Sequence, residues 1–174
     1  MIEKSPTDPV LISQIADLCR QHDDLKSAEA YYRRAVELAP NDIQYREYLG
    51  EFLHHQKRSD EAVLIWEEIA QGDRRTAYHL ARIAEIYGNF EYETRAIAAI
   101  SEAAKLDPSD FPLQLKAAKL HLAAGQDQQA LTYLAAAELL ASNGDERELT
   151  IAERIRALKV SGELMQVANQ MQLE

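Results

Sequence analysis

The chain has 174 residues, a formal charge of −10 and a pI near 5.0, with 47% apolar residues. That apolar share can fill a continuous core and excludes a disordered chain, while the acidic balance lacks the basic stripe that binding a phosphate backbone requires, so no nucleic acid is expected as a partner. A single cysteine rules out an internal disulfide or a thiolate metal cage within one copy.

Residues 1–8 read as a lead-in. Met1 to Pro6 has no apolar signal core, so a cytoplasmic address is expected. From there one register of small and large side chains recurs every 34 residues, in units that begin at Pro9, Ile43, Ala77 and Phe111. The first small position holds Ala16, Gly50, Ala84 and Ala118, and a second holds Ala28, Ala62, Ala96 and Ala130. A bulky residue follows at Tyr32, Trp66, Ile100 or Leu134. Small residues let two helices approach closely while a facing large one fills the gap, so each unit reads as an antiparallel helix hairpin.

In the first unit, 9–42, Asp8 followed by Pro9 starts a helix that runs to about Gln21. His22-Asp23-Asp24 turns the chain, and a second helix carries Ala28, Tyr32 and Ala35 on one face until Pro40 stops it. The second unit, 43–76, opens at Asp42, turns near Lys57 to Ser59 and closes at Gly72-Asp73, where glycine suits the left-handed end of a helix. The third, 77–110, opens after Asp73, turns at Gly88-Asn89 and closes at Asp107-Pro108. The fourth, 111–144, begins at Asp110, turns at Gly125 to Asp127 and closes at Ser142-Asn143-Gly144.

A ninth helix is expected from Asp145, capped reciprocally by Asp145 and Glu148. Its Ile151, Ala152, Ile155 and Leu158 form an apolar stripe, while Glu146, Arg147, Glu153, Arg154 and Arg156 lie mostly elsewhere. Residues 145–172 are thus a capping helix or a degenerate fifth unit in which Leu164 replaces a small residue. The longest weakly polar run, Ala130 to Ala141, contains Thr132, Tyr133 and Glu138 and falls short of the roughly 20 apolar residues that cross a bilayer, so no membrane insertion is expected. Residues 173–174, Leu173-Glu174, resemble a tag remnant, and the chain is expected to be part of a larger protein.

The pattern resembles the tetratricopeptide repeat family. The first unit carries Ile12, Ile15-Ala16, Cys19, Ala28, Tyr32, Ala35 and Pro40, and the third Leu80, Ile83-Ala84, Tyr87, Ala96, Ile100, Ala103 and Pro108. The second keeps Leu49-Gly50, Leu53, Ala62 and Trp66 but departs at Arg46, Ile69 and Arg74. The fourth keeps Ala117-Ala118, Ala130, Leu134 and Ala137 but departs at Gln114, His121 and Ser142. The resemblance implies an all-α, right-handed superhelix, an α–α solenoid of hairpins whose first helices line a concave groove for a peptide or protein segment.

On that arrangement the groove-facing candidates are Ser13, Asp17, Gln44, Glu47, Tyr48, Glu51, Tyr78, Arg82, Glu85, Lys116 and Lys119. They pass from acidic in the first two units toward basic in the fourth, with Tyr48 and Tyr78 as anchors for a segment whose basic end lies near Glu47 and Glu51. The clamp that one branch of the family uses for chaperone C-termini is not matched. Its places hold Ser13, Asp17, Tyr48, Tyr78 and Arg82 in one alignment, and Glu47, Glu51, Arg82, Pro112 and Lys116 in the other.

Arg33-Arg34 and Arg74-Arg75 sit among carboxylates and read as solvated helix surface. Cys19 lies at a packing register and reads as a buried thiol, and His121 as a core histidine with a satisfied nitrogen. His54 and His55 point about 100° apart on a helix of 3.6 residues per turn and cannot share one ion, and the Glu51-x-x-His54 step stands alone. No phosphate loop or serine elbow occurs. The reading is therefore a non-catalytic protein–protein interaction scaffold without cofactor or metal. The alternatives are a dedicated secretion-type chaperone, or a regulatory segment of a larger enzyme.

Overall fold

The computed structural model describes residues 7–141, 144–147, 149–150 and 153–154. Among these every regular element is helical. Two compact units divide at Arg74 and Arg75.

The first unit holds two hairpins. α1 (Pro9–Gln21) packs on α2 (Leu25–Leu38), α3 (Ile43–His55) packs on α4 (Ser59–Glu67), and α2 packs on α3. Asp8 and Asp42, foreseen as starts, do cap, accepting from the Val10 amide at 2.9 Å and from Gln44 at 3.0 Å, and Asp24 of the foreseen turn caps α2 by accepting from Ser27 at 3.2 Å. Each bond satisfies one of the amides that a helix leaves open at its start. Ala16, Ala28, Ala35 and Ala62 are buried, with Tyr32, Leu49, Leu53 and Trp66 filling the space between them.

The second unit repeats the plan. α5 (Ala77–Asn89) packs on α6 (Glu93–Leu106), α7 (Phe111–Ala123) packs on α8 (Asp127–Leu140), and α6 packs on α7. Its core holds Ala84, Ala96, Ala103, Ala118, Ala130 and Ala137 with Leu80, Ile100, Leu115 and Leu134. α7 is capped by Asp110, which accepts from Leu113 at 2.9 Å.

Each hairpin turn contains one residue in the left-handed region, and the four recur at one register: Asp23 at φ 61°, Lys57 at 65°, Glu91 at 64° and Gly125 at 69°. Only the fourth unit uses glycine there.

Three boundaries differ from those expected. α4 ends at Glu67, and single 3-10 turns over Glu68–Ala70 and Gly72–Arg74 follow, so Gly72, at φ 61°, sits beyond the helix end. The tighter winding buries Ile69 and Ala70. α5 is capped by Thr76, not Asp73, and runs through Gly88-Asn89, which leaves Glu91 to make the turn. Gly144 and Asp145 are both already helical, although a closing turn and a cap were expected there, and Glu153 is buried instead of lying off the apolar stripe.

Met1 to Pro6, the turn residues Ser142 and Asn143, the cap partner Glu148, the stripe Ile151, Ala152, Ile155 and Leu158, and Leu164, Leu173 and Glu174 lie outside the described residues. Among the described residues no helix is long and apolar enough to cross a membrane.

Two of the three departures from the repeat pattern in the second repeat, Arg46 and Arg74, act together. The buried Arg46 donates to the Pro40 carbonyl at 2.6 Å and to Glu68 at 3.2 Å. Arg74 donates to the same Pro40 carbonyl at 2.8 Å and to the Glu68 carbonyl at 3.1 Å. In the second unit Gln114 stands at the register of Arg46, and its amide donates to the carbonyls of Ala104 at 3.0 Å and Pro108 at 3.3 Å. Carbonyls at the end of one hairpin are thus satisfied by a polar residue from the first helix of the next.

Candidate protein-interaction faces

In the first unit the face shared by α1 and α3 carries a cleft of about 230 Å³ lined by Asp17, Arg20, Tyr32, Tyr48, Glu51, Phe52 and His55. Helical spacing accounts for the convergence. Asp17 and Arg20 lie one turn apart on α1, and Tyr48, Glu51 and His55 are successive turns of one side of α3. Tyr32 and Phe52 rise from the core beneath them, ring centroids 5.3 Å apart.

The Tyr32 hydroxyl donates to Asp17 Oδ1 at 2.6 Å, and Arg20 reaches the same oxygen at 3.2 Å. Burial, helped by the Asp17 carboxylate, pushes the Tyr32 phenol up to about 12, so it stays a donor across the physiological range. Glu51 has His55 Nε2 at 3.6 Å, beyond hydrogen-bond length. The histidine paired with Glu51 is thus one turn on, not the His54 of the three-residue step. Asp17, Tyr48 and Glu51 from the expected set come together here.

The other expected residues of this unit are placed differently. Ser13 is buried, donates its hydroxyl to the Val10 carbonyl at 2.8 Å and does not line the cleft. Gln44 is exposed at the start of α3, and Glu47 is half-buried. Cys19 is half-buried, not buried as expected. α1 packs chiefly on α2, whereas α3, which carries the equivalent Leu53, is also packed by α2.

In the second unit Tyr78 is 67% exposed and meets His79 edge-on at 5.3 Å. Arg82 and Glu85 pair at 2.9 Å, and Lys116 pairs with the same Glu85. The Lys116 ammonium, with Arg82 in support, holds the Glu85 carboxyl below the ordinary glutamate value against its partial burial. Lys119 lies 3.9 Å from Glu153. The basic character expected of this face is therefore largely neutralised by its own carboxylates.

Sequence spacing missed Arg20, His55, Tyr32 and Phe52 as cleft residues. The first two continue the 3.6-residue steps from Asp17 and Glu51 and were within reach of that rule. The latter two were assigned wholly to packing. His121 is the core residue expected: buried, stacked on Tyr133 at 5.2 Å, with Ser101 Oγ at 2.9 Å and Gln126 Oε1 at 2.7 Å from its two nitrogens.

A family model described as tetratricopeptide repeat matches residues 9–52, the first hairpin and most of α3. Over that stretch the chain is similar to the tetratricopeptide repeat family. Solved structures with this fold resemble it along most of its length. The nearly identical TPR-like repeats of a kinesin light chain-type protein from Podosopora anserina align with a TM-score of 0.57 at 16% identity, covering 97% of this chain and 94% of that one. PilF of Pseudomonas aeruginosa aligns with a TM-score of 0.51 at 18% identity, covering 95% and 74%. Residues 41-end of MamA from Desulfovibrio magneticus RS-1 align with a TM-score of 0.50 at 18% identity, covering 77% and 76%. No curated protein matches the chain. At these identities the likeness concerns the fold alone.

Proposed function

We propose that this protein is a non-catalytic interaction scaffold whose α1–α3 face holds a segment of another polypeptide. The observation that carries the reading is the cleft itself. Asp17 from one hairpin and Tyr48 and Glu51 from the next are gathered over an aromatic floor, beside the partly exposed ring of Tyr48. Rigid aromatic surface flanked by charge is the composition from which interface hot spots are built. Tyr78, Arg82, Glu85, Lys116 and Lys119 are proposed as a second contact face, within the other unit.

The test is selection of peptides from a display library on the intact chain, followed by affinity measurements. Tyr48→Ala is expected to weaken selected peptides roughly tenfold, within the range that loss of an aromatic anchor produces. Selected peptides indifferent to Tyr48 and to Glu51 would overturn the assignment of the face.

A further inference from the structure

Four kinds of group meet in the α1–α3 cleft: two carboxylates, three tyrosine or phenylalanine rings, the His55 imidazole and one guanidinium already engaged within the site. At about 230 Å³ the space lies below the roughly 300–1,000 Å³ typical of clefts that enclose a whole small molecule. It suits one long side chain. An anionic group would approach Asp17 and Glu51 at close range and be repelled. A purely apolar group would strip water from Glu51 without replacing its hydrogen bonds.

The charges already present are distributed unevenly. Asp17 is satisfied by the Tyr32 hydroxyl and by Arg20, so its charge is compensated inside the cleft. Among the described residues Glu51 has the longer contact to His55, at 3.6 Å. A cation entering the cleft finds an acceptor at Glu51 and the exposed ring of Tyr48 against which to lie. The net charge of −10 adds long-range attraction for a basic segment.

We infer that the cleft between α1 and α3 is a seat for one arginine side chain of the bound polypeptide, a refinement that rests on the α1–α3 face being the binding face. Its guanidinium bonds Glu51 and lies against the exposed ring of Tyr48. Arginine fits better than lysine because the planar guanidinium is weakly hydrated and lies flat on aromatic rings, whereas an ammonium keeps its water.

The experiment titrates the full-length, isotope-labelled chain with N-acetyl-arginine amide and follows backbone amide resonances, with N-acetyl-citrulline amide as an uncharged control of the same shape. The arginine compound is expected to give saturable shifts centred on Asp17, Tyr48, Glu51 and His55, with millimolar affinity. Citrulline should bind at least about tenfold more weakly, and Glu51→Gln should lower arginine affinity by about fivefold or more at an unchanged melting temperature. Equal shifts from citrulline, indifference to Glu51→Gln, or shifts only elsewhere would overturn the inference.

Display-selected peptides separate this failure from failure of the face itself. If peptides bind in a Tyr48-dependent way but place no arginine in the cleft, the arginine seat is wrong and the interaction face stands. If neither peptide nor arginine touches α1 and α3, both are wrong.

Discussion

Gly50 lies directly against the indole of Trp66: a Cβ added at Gly50 would stand 2.5 Å from Cε2 and 2.6 Å from Cδ1 of that ring. No real side chain occupies such a position, and Trp66 is itself fully buried, with its indole N–H donating to the Glu47 carbonyl at 3.4 Å. Here the small position of the repeat must be glycine because its bulky partner is tryptophan. The other three hairpins pair alanine with tyrosine, isoleucine or leucine.

Gly50→Ala should therefore destabilise the protein by about 2–3 kcal/mol, the cost of forcing an indole from a packed site. Trp66→Phe should cost less than that on the Gly50→Ala background, because the smaller ring makes room for the methyl. Urea denaturation of the two single variants and the double variant checks this. Strict additivity would show that the two positions do not share one space.

Arg46→Ala should cost about 2–4 kcal/mol, since it leaves the Pro40 carbonyl with one donor fewer and opens a cavity where a buried stem lay. Arg74→Ala should cost less, about 1 kcal/mol, because its guanidinium is exposed and Arg46 still serves the same carbonyl. If both arginines supply Pro40, the double variant should lose more than the sum in a thermal or urea melt.

Glycine at two of the three left-handed turn positions that carry a side chain should help. Lys57→Gly and Glu91→Gly each relieve a left-handed backbone that costs a side-chain-bearing residue about 1–2 kcal/mol, against a smaller loss from the looser unfolded chain. A net gain of about 0.5–1 kcal/mol per site is expected, and Gly125→Ala should lose a comparable amount. The midpoint of chemical unfolding is the readout.

Acid should weaken the fold partly through Glu29 and Glu85. Arg58, then Arg33, hold the Glu29 carboxyl below its ordinary value against partial burial, as Lys116 and Arg82 do for Glu85. Both folded-state values are depressed, so this stabilisation is complete above the unfolded value of about 4.3 and is lost as pH falls through the lower folded one. Glu29→Gln should flatten the acid limb of the stability profile more than Glu85→Gln. The Glu29 side chain is 24% exposed against 40% for Glu85, where solvent screens the pair more strongly. Melting temperatures between neutral pH and about pH 3 test the order.

Hairpin architecture was legible because packing acts through volume, and volume repeats in the sequence: Ala28, Ala62, Ala96 and Ala130 are all fully buried at the register that spacing assigns. Ends were less legible. Gly72 looked like a helix stop, yet burial of Ile69 and Ala70 draws the chain out of the α-helix earlier, and that pull comes from tertiary packing. The site was legible in part. Asp17, Tyr48 and Glu51 follow from helical spacing, but Ser13 does not, because a hydroxyl can satisfy itself on its own helix and be buried there. Nor does sequence spacing reveal that Glu85, one turn from Arg82 on α5, also holds Lys116, since that pairing joins two helices.

The polar link from Arg46 to Pro40 has its counterpart two repeat lengths on, from Gln114 to Pro108, while the intervening register holds Leu80 after Arg74. Within each compact unit the second hairpin thus supplies the donor that closes the end of the first. Duplicating or deleting a pair of hairpins preserves each donor behind its proline, whereas splicing in one hairpin would strand a carbonyl beside a leucine. Artificial lengthening of the protein should succeed in even steps and falter in odd ones.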